Sequence, residues 1–258
     1  MEPFEIPLRP VLIFLVVLAR IGGLVSFAPF WAHKAANFKI RVVMALVLTL
    51  ALAPVLAGRI ETPPAEAYGL LVVLAGELVI GAIMGFVGRL VFSGLETAAH
   101  FLAAQMGFSL AGTIDPSTQA QTTAFGTIAQ MFGLLVLLGA NGHHWFLAAA
   151  VKSFSTTPPG SFTFSGDLLD LLLRFSANTL VVGVTLAAPA IIVLLAVEFA
   201  IEFFGRTAPQ FQVFILGFPL KIGVGLWIVG ASLYFLPASM RDILSQIYHG
   251  LIKAMGAM

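Results

Sequence analysis

About six apolar runs of roughly 20 residues, each long enough to cross a hydrocarbon core about 30 Å thick, divide this chain. Nearly every run carries something that a lipid-facing helix avoids. Arg20 lies in the first, Glu77 and Arg89 towards the two ends of the third, and Glu198, Glu202 and Arg206 crowd the fifth. Pro29, Pro54, Pro189 and Pro219 bend or break segments and remove backbone hydrogen bonds that must be replaced elsewhere. The pattern predicts an all-α, polytopic membrane protein of kinked helices and helix hairpins, with neighbouring protein around much of it. Composition agrees: 59% of the 258 residues are hydrophobic, 10% are charged and the mean hydropathy is +1.02. Soluble domains carry about 25% charged residues, and a soluble bundle of this composition would expose too apolar a surface. A net charge of +1 without a basic stripe argues against nucleic acid. The lack of cysteine excludes disulfides, thiolate metal sites and cysteine catalysis.

The richest stretch is Val197 to Gly223, VEFAIEFFGRTAPQFQVFILGFPLKIG. Glu198, Glu202 and Arg206 follow i, i+4, i+8 spacing, so one helix presents all three on one face. Ionised groups at membrane depth cost several kcal/mol unless paired or turned into protein. Pro209, followed by Gln210, is expected to end or kink this helix. A second apolar helix follows, expected to break at Pro219 and carrying Lys221. The result is a charged-core hairpin that needs partners. Nothing in the chain resembles a nucleophile, a phosphate loop or a metal site. His143 and His144 are adjacent, so they point about 100° apart on a helix, and no third ligand sits at a useful spacing.

In chain order, residues 1–10 hold Pro3, Pro7 and Pro10 and read as an extended lead-in. A first helix spans Val11 to Phe27 and Pro29 closes it; the run is too long for a signal-peptide core and reads as retained. His33, Lys34, Lys39 and Arg41 form the densest positive cluster; the positive-inside rule would put that loop on the cytoplasmic side, and solvated flanks of two helices fit the cluster equally well. A second helix covers Arg41 to Leu56, and a polar turn with Arg59, Glu61 and Glu66 leads to a third over Tyr68 to Phe92. Its Gly76, Gly81, Gly85 and Gly88 form a small-residue stripe, and Gly81-xxx-Gly85 lets another helix backbone approach. Glu77 and Arg89 are expected to snorkel from the helix ends.

The character changes from Ser93 to Thr123, which is only partly apolar and holds Glu96, His100, Gln105, Gly107, Gly112 and Asp115-Pro116. It reads either as an exposed loop or as a re-entrant, pore-facing one. A fourth helix spans Ala124 to Ala140, Asn141-Gly142 breaks it, and another piece reaches Phe154. Thr157-Pro158-Pro159-Gly160 is the best internal boundary. Beyond it lie one or two long helices from Asp167 to Phe204, bent near Pro189, then the hairpin, then a tail from Met240 expected to lie on the surface.

Three segments together resemble the FliR family, the R-type subunits of the type III secretion export gate, which has homologues in virulence injectisomes. They are Ala19 to Gly23 with Pro29 and the basic Lys39/Arg41 flank, Gly107 through Asp115-Pro116 to Asn141-Gly142-His143, and GRTAPQFQVFILGFPLKIG at Gly205 to Gly223. Members often have Asn where this chain has Gln212, a small departure. The Phe-Pro-Leu-Lys form at Phe218 to Lys221 looks more flagellar than injectisome-like. The resemblance implies no catalytic activity and no cofactor. It implies a bacterial inner-membrane, multi-pass subunit of the flagellar basal body, assembled with P-type and Q-type gate subunits and other membrane proteins of the export apparatus. Together they form a helical pore for exported flagellar proteins. It further implies a P-like part over residues 1–160, followed by a Q-like hairpin and tail over 161–258. An internal loop would help close the pore, here Gly107, Phe108, Leu110, Gly112, Asp115 and Pro116, within Gly107 to about Gln121. Glu198, Glu202, Arg206, Pro209, Gln210 and Lys221 would be subunit-interface ties. An ion-coupled secondary transporter is the alternative, with Glu198 and Glu202 carrying protons, although the two halves show no inverted repeat.

Overall fold

A computed structural model describes residues 8–31, 37–64, 66–108, 124–207 and 213–232, together with 234, 245, 248–250, 252–253 and 255–256. Seven helices are set out in order: α1 (Leu8–Phe27), α2 (Phe38–Leu56), α3 (Ala67–Gln105), α4 (Ala124–Gly139), α5 (Gly142–Thr156), α6 (Gly166–Thr207) and α7 (Val213–Ser232). No strand occurs among the described residues. Four of these helices are long and apolar enough to cross a membrane, or up to five if the pair broken at Asn141 counts as one span. That is fewer than the six of the hydropathy reading. Asn141 takes a left-handed conformation (φ 57°, ψ 29°), which divides one apolar run into two bent pieces.

The helix starts follow local chemistry. Pro10 sits inside the first turn of α1, where its missing N–H removes no intrahelical bond, so the helix begins before the expected Val11. Ser165 caps α6 by accepting from the Leu168 amide at 3.1 Å, and Asp167 adds a negative charge at that positive helix end. Pro54, Pro189 and Pro219 all lie inside helices. α7 therefore runs through Pro219 instead of breaking there. α3 also continues 13 residues beyond Phe92, through the stretch read as a loop. Its Ser93, Glu96, Thr97 and His100 are spaced three and four apart, and Thr97 returns its hydroxyl to the Ser93 carbonyl at 2.8 Å. The helix stops only where Gly107 adopts φ +89°.

The chain forms two compact units. The first comprises Met1–Leu90, Asn141–Phe175 and Ile243–Met258; the second comprises Val91–Ala140 and Ser176–Asp242. The Thr157–Gly160 breaker lies inside the first unit. The core of that unit joins Val16, Val17, Ile21 and Leu24 of α1, Ile80, Met84 and Val87 of α3, and Phe146 and Phe154 of α5. The small-residue stripe of α3 is shared among three neighbours. A Cβ on Gly81 would overlap the Arg20 carbonyl oxygen, and one on Gly85 would lie 2.7 Å from that of Leu24, so the α1 backbone rests on α3 here. Gly88 meets the Phe146 ring and Gly76 meets Phe162. The C-terminal segment also belongs to this core, contrary to the surface placement: Met255 is buried and Gly250 lies against Phe175.

The second unit is built around Ala99, Ala103 and Met106 of α3 with Leu194 of α6, flanked by Leu102, Phe108, Ala129, Val224 and Val229. Gly94 and Gly183 bring α3 and α6 together, since a Cβ on Gly183 would lie 2.9 Å from Thr97. By contrast, α2 and much of α6 turn large apolar side chains outwards, among them Val43, Leu50, Ile192 and Phe199.

Candidate functional site

Two charged clusters define the interior. In the first unit Arg20, fully buried, uses its whole guanidinium. Nε donates to Glu77 Oε2 at 2.5 Å, Nη1 to Ser153 Oγ at 2.9 Å and Nη2 to the Thr157 carbonyl at 3.0 Å. The Phe154 ring lies 4.0 Å from the guanidinium carbon. Ser153 passes its own hydroxyl to the Ala150 carbonyl, and Thr157 Oγ1 donates to the Met255 carbonyl at 2.9 Å. One arginine thus ties α1, α3, α5 and the turn after α5, and Thr157 extends the tie to the C-terminal segment. Glu77 is sealed as completely as Arg20, so it does not snorkel. The reason is the glycine contact between α1 and α3, which brings the two side chains together away from either helix end. Arg89 is exposed. In the sequence Arg20 and Glu77 stand out separately, 57 residues apart, with no local sign of their pairing. Two lone opposite charges, each beside glycines that permit close helix approach, were the available signal.

In the second unit the charges of the α6–α7 hairpin separate into two kinds. Glu198 Oε1 accepts from Lys221 Nζ at 2.5 Å and Oε2 accepts from Gln105 Nε2 at 3.0 Å. Glu202 and Arg206 are exposed and, among the described residues, form no ion pair with each other. Phe199, Phe203 and Phe204 beside them are each 69–70% exposed. α6 ends at Thr207, two residues before Pro209, and Pro209 and Gln210 themselves lie outside the described residues. A further polar tie, Gln130 Nε2 to Glu96 Oε1, joins α4 to α3.

Of the loop residues, Gly107 and Phe108 are described. Gly107 turns the chain at the end of α3, with the Phe218 ring against it, and Phe108 packs half-buried on the core of its unit. Leu110, Gly112, Asp115 and Pro116 lie outside the described residues. Among the described residues no group of three His, Asp or Glu converges on a metal-sized site. His143 packs against the Phe30 ring edge and His144.

A buried ion pair, a second, part-buried one, glycine-mediated helix contacts and outward apolar faces define a multi-pass, all-α membrane protein whose polar groups tie helices together. The chain belongs to the family of bacterial export proteins, family 1, whose model matches residues 11–247. It is similar to the flagellar biosynthetic protein FliR of Caulobacter vibrioides, at 33% identity over 218 residues, 84% of this chain and 87% of that one. It is likewise similar to FliR of Escherichia coli K12, at 28% identity over 232 residues, covering 90% and 88% of the two chains. Yop proteins translocation protein T of Yersinia pestis matches at 26% identity over 161 residues, 62% of each chain.

Proposed function

We propose that this chain is a non-enzymatic subunit of the bacterial flagellar type III protein export gate, forming part of the helical pore through which flagellar proteins leave. The observation that carries the reading is the family match along residues 11–247, with FliR relatives that align over about nine-tenths of their length. The gate would sit in the inner membrane at the flagellar basal body. P-type and Q-type subunits are the neighbours, residues 1–160 being the P-like part and 161–258 the Q-like hairpin and tail.

Two features support this assignment. The first is that α3 and α6, of 39 and 42 residues, each hold about twice the roughly 20 residues that one span needs. Helices of that length suit a protein assembly better than a set of simple spans. The second is the exposed Glu202/Arg206 pair among exposed phenylalanines, a surface whose charges lipid would leave uncompensated. In the gate, Glu202, Arg206, Pro209 and Gln210 face neighbouring subunits. Glu198 and Lys221 support that face from within. The segment Gly107 to about Gln121 helps to hold the idle pore shut, with Phe108 anchoring its start on the core of the second unit and Leu110 as apolar filling.

Removing the gene from its own cell and assaying flagellar proteins in the medium tests the reading. Loss of flagellar export, restored by the chain in trans, is the expected result; undiminished export would contradict it. In the transporter alternative Glu198 and Glu202 would carry protons; Glu198 is instead engaged by Lys221 and Gln105, one at each carboxylate oxygen.

A further inference from the structure

At the end of α3 the chain is held at three points. Glu198 bridges Gln105, the last residue of α3, and Lys221 of α7, one carboxylate oxygen to each. Met106 is fully buried and closes on α7 at Gly225, where an added Cβ would lie 2.7 Å from Met106 Cγ and Sδ. Gly107, at φ +89°, lies under the Phe218 ring, 2.6 Å from Cε1 to an added Cβ. The backbone turns tightly between these points: the amides of Met106, Gly107 and Phe108 return to the carbonyls of Leu102, Ala104 and Ala103 at 2.9–3.0 Å.

Two of the three holds are apolar and non-directional. The Glu198 bridge is directional, because among the described residues each carboxylate oxygen accepts from a different donor. A carboxylate that met only Lys221 would tie α6 to α7. The Gln105 amide extends the tie to the residue from which the chain leaves α3. Any apolar side chain at 105 would fill the same space without fixing that position.

We propose that Glu198 is a positioning residue, setting the end of α3 against the α6–α7 hairpin and thereby the leak-tightness of the idle gate. The consequence for the gate rests on the export-gate reading above; the positioning itself does not. The test uses the full chain, alone and co-assembled with P-type and Q-type subunits. Hydrogen–deuterium exchange of the 106–108 amides is compared in wild type, Glu198→Ala and Gln105→Leu, and ion leak is measured on each assembled complex. Both variants should speed exchange by about two- to tenfold, the worth of roughly one hydrogen bond, and raise the leak. The exchanged pair Glu198→Lys with Lys221→Glu should return both towards wild type, since the Gln105 amide can present its carbonyl oxygen to a lysine. Unchanged exchange in both variants overturns the positioning role, and faster exchange with an unchanged leak overturns its link to the gate. Should Glu198→Ala fail to assemble, Gln105→Leu, which removes one neutral donor, decides alone. A wild-type chain that does not assemble with those subunits would count against the export-gate reading, and the exchange arm would still decide the positioning.

Discussion

Arg20 and Glu77, 57 residues apart in the sequence, meet at 2.5 Å with both side chains sealed from solvent. A buried pair of this kind contributes little net stability, because desolvation offsets attraction, but losing one partner strands the other. Arg20→Ala or Glu77→Ala should each destabilise the protein by about 3–5 kcal/mol. The double change Arg20→Leu with Glu77→Leu should cost much less than the sum. Thermal unfolding in detergent, run as a double-mutant cycle, checks this. Small and additive single effects would mean that the pair is not buried in the folded protein.

The glycine contacts give a sharper steric contrast. Gly81→Ala places a methyl group into the Arg20 carbonyl, so α1 and α3 must separate and the ion pair above them must stretch. Gly22 has nothing within 4 Å of an added Cβ, and Gly22→Ala should be neutral or slightly stabilising, by up to about 1 kcal/mol from helix propensity. Melting temperatures of the two variants should therefore move in opposite directions, or at least differ clearly. Equal shifts would contradict the α1–α3 packing.

Glu202 and Arg206 separate assembly from folding. Exposed as they are, Glu202→Ala and Arg206→Ala should change the stability of the isolated chain by less than about 1 kcal/mol. The yield of the assembled complex should nevertheless fall several-fold, because each change removes a charge that an adjoining subunit would compensate. Arg59, exposed in the turn between α2 and α3, is the control, and Arg59→Ala should leave the yield unchanged. Equal, mild effects at Arg206 and Arg59 would place Arg206 on a solvated surface.

Deleting Ser109 to Gln119 should leave assembly largely intact and make cells leak ions. Gly107 and Phe108 are held by Phe218 and by the Ala99–Leu194 core, so the end of α3 should survive the deletion. Conductance measured on the assembled deletion complex checks this. A conductance equal to wild type would remove the closing role of the segment.

Much of the helical framework was legible because apolar runs, prolines and glycines act locally. Asn141 and the Thr157–Gly160 turn interrupt helices as their chemistry demands, and the Gly81/Gly85 stripe meets a neighbouring backbone as small residues at that spacing do. The reading failed where a local cue was outweighed by tertiary context. Pro219 was expected to break α7, yet the helix continues through it; one lost hydrogen bond does not end a helix whose other bonds have no competing water. The polar content of Ser93 to Gln105 suggests a loop, but the spacing of those residues puts them on helical faces with partners in Gln130 and Glu198. The charged clusters were legible as residues but not as pairs. Glu198, Glu202 and Arg206 share a helix face by spacing, and nothing local says that Lys221 and Gln105 would take the first of them. Likewise, Arg20 finds Glu77 only through the way two helices cross.

As one subunit of a multi-protein export gate, this chain should travel with its neighbours. Affinity purification of the tagged chain in mild detergent, followed by mass spectrometry of whatever accompanies it, tests that claim most directly. Co-purification with P-type and Q-type gate subunits in a single large complex is the expected result. A chain that purifies alone or as a small homo-oligomer, under conditions that preserve other membrane complexes of the same cell, would contradict it.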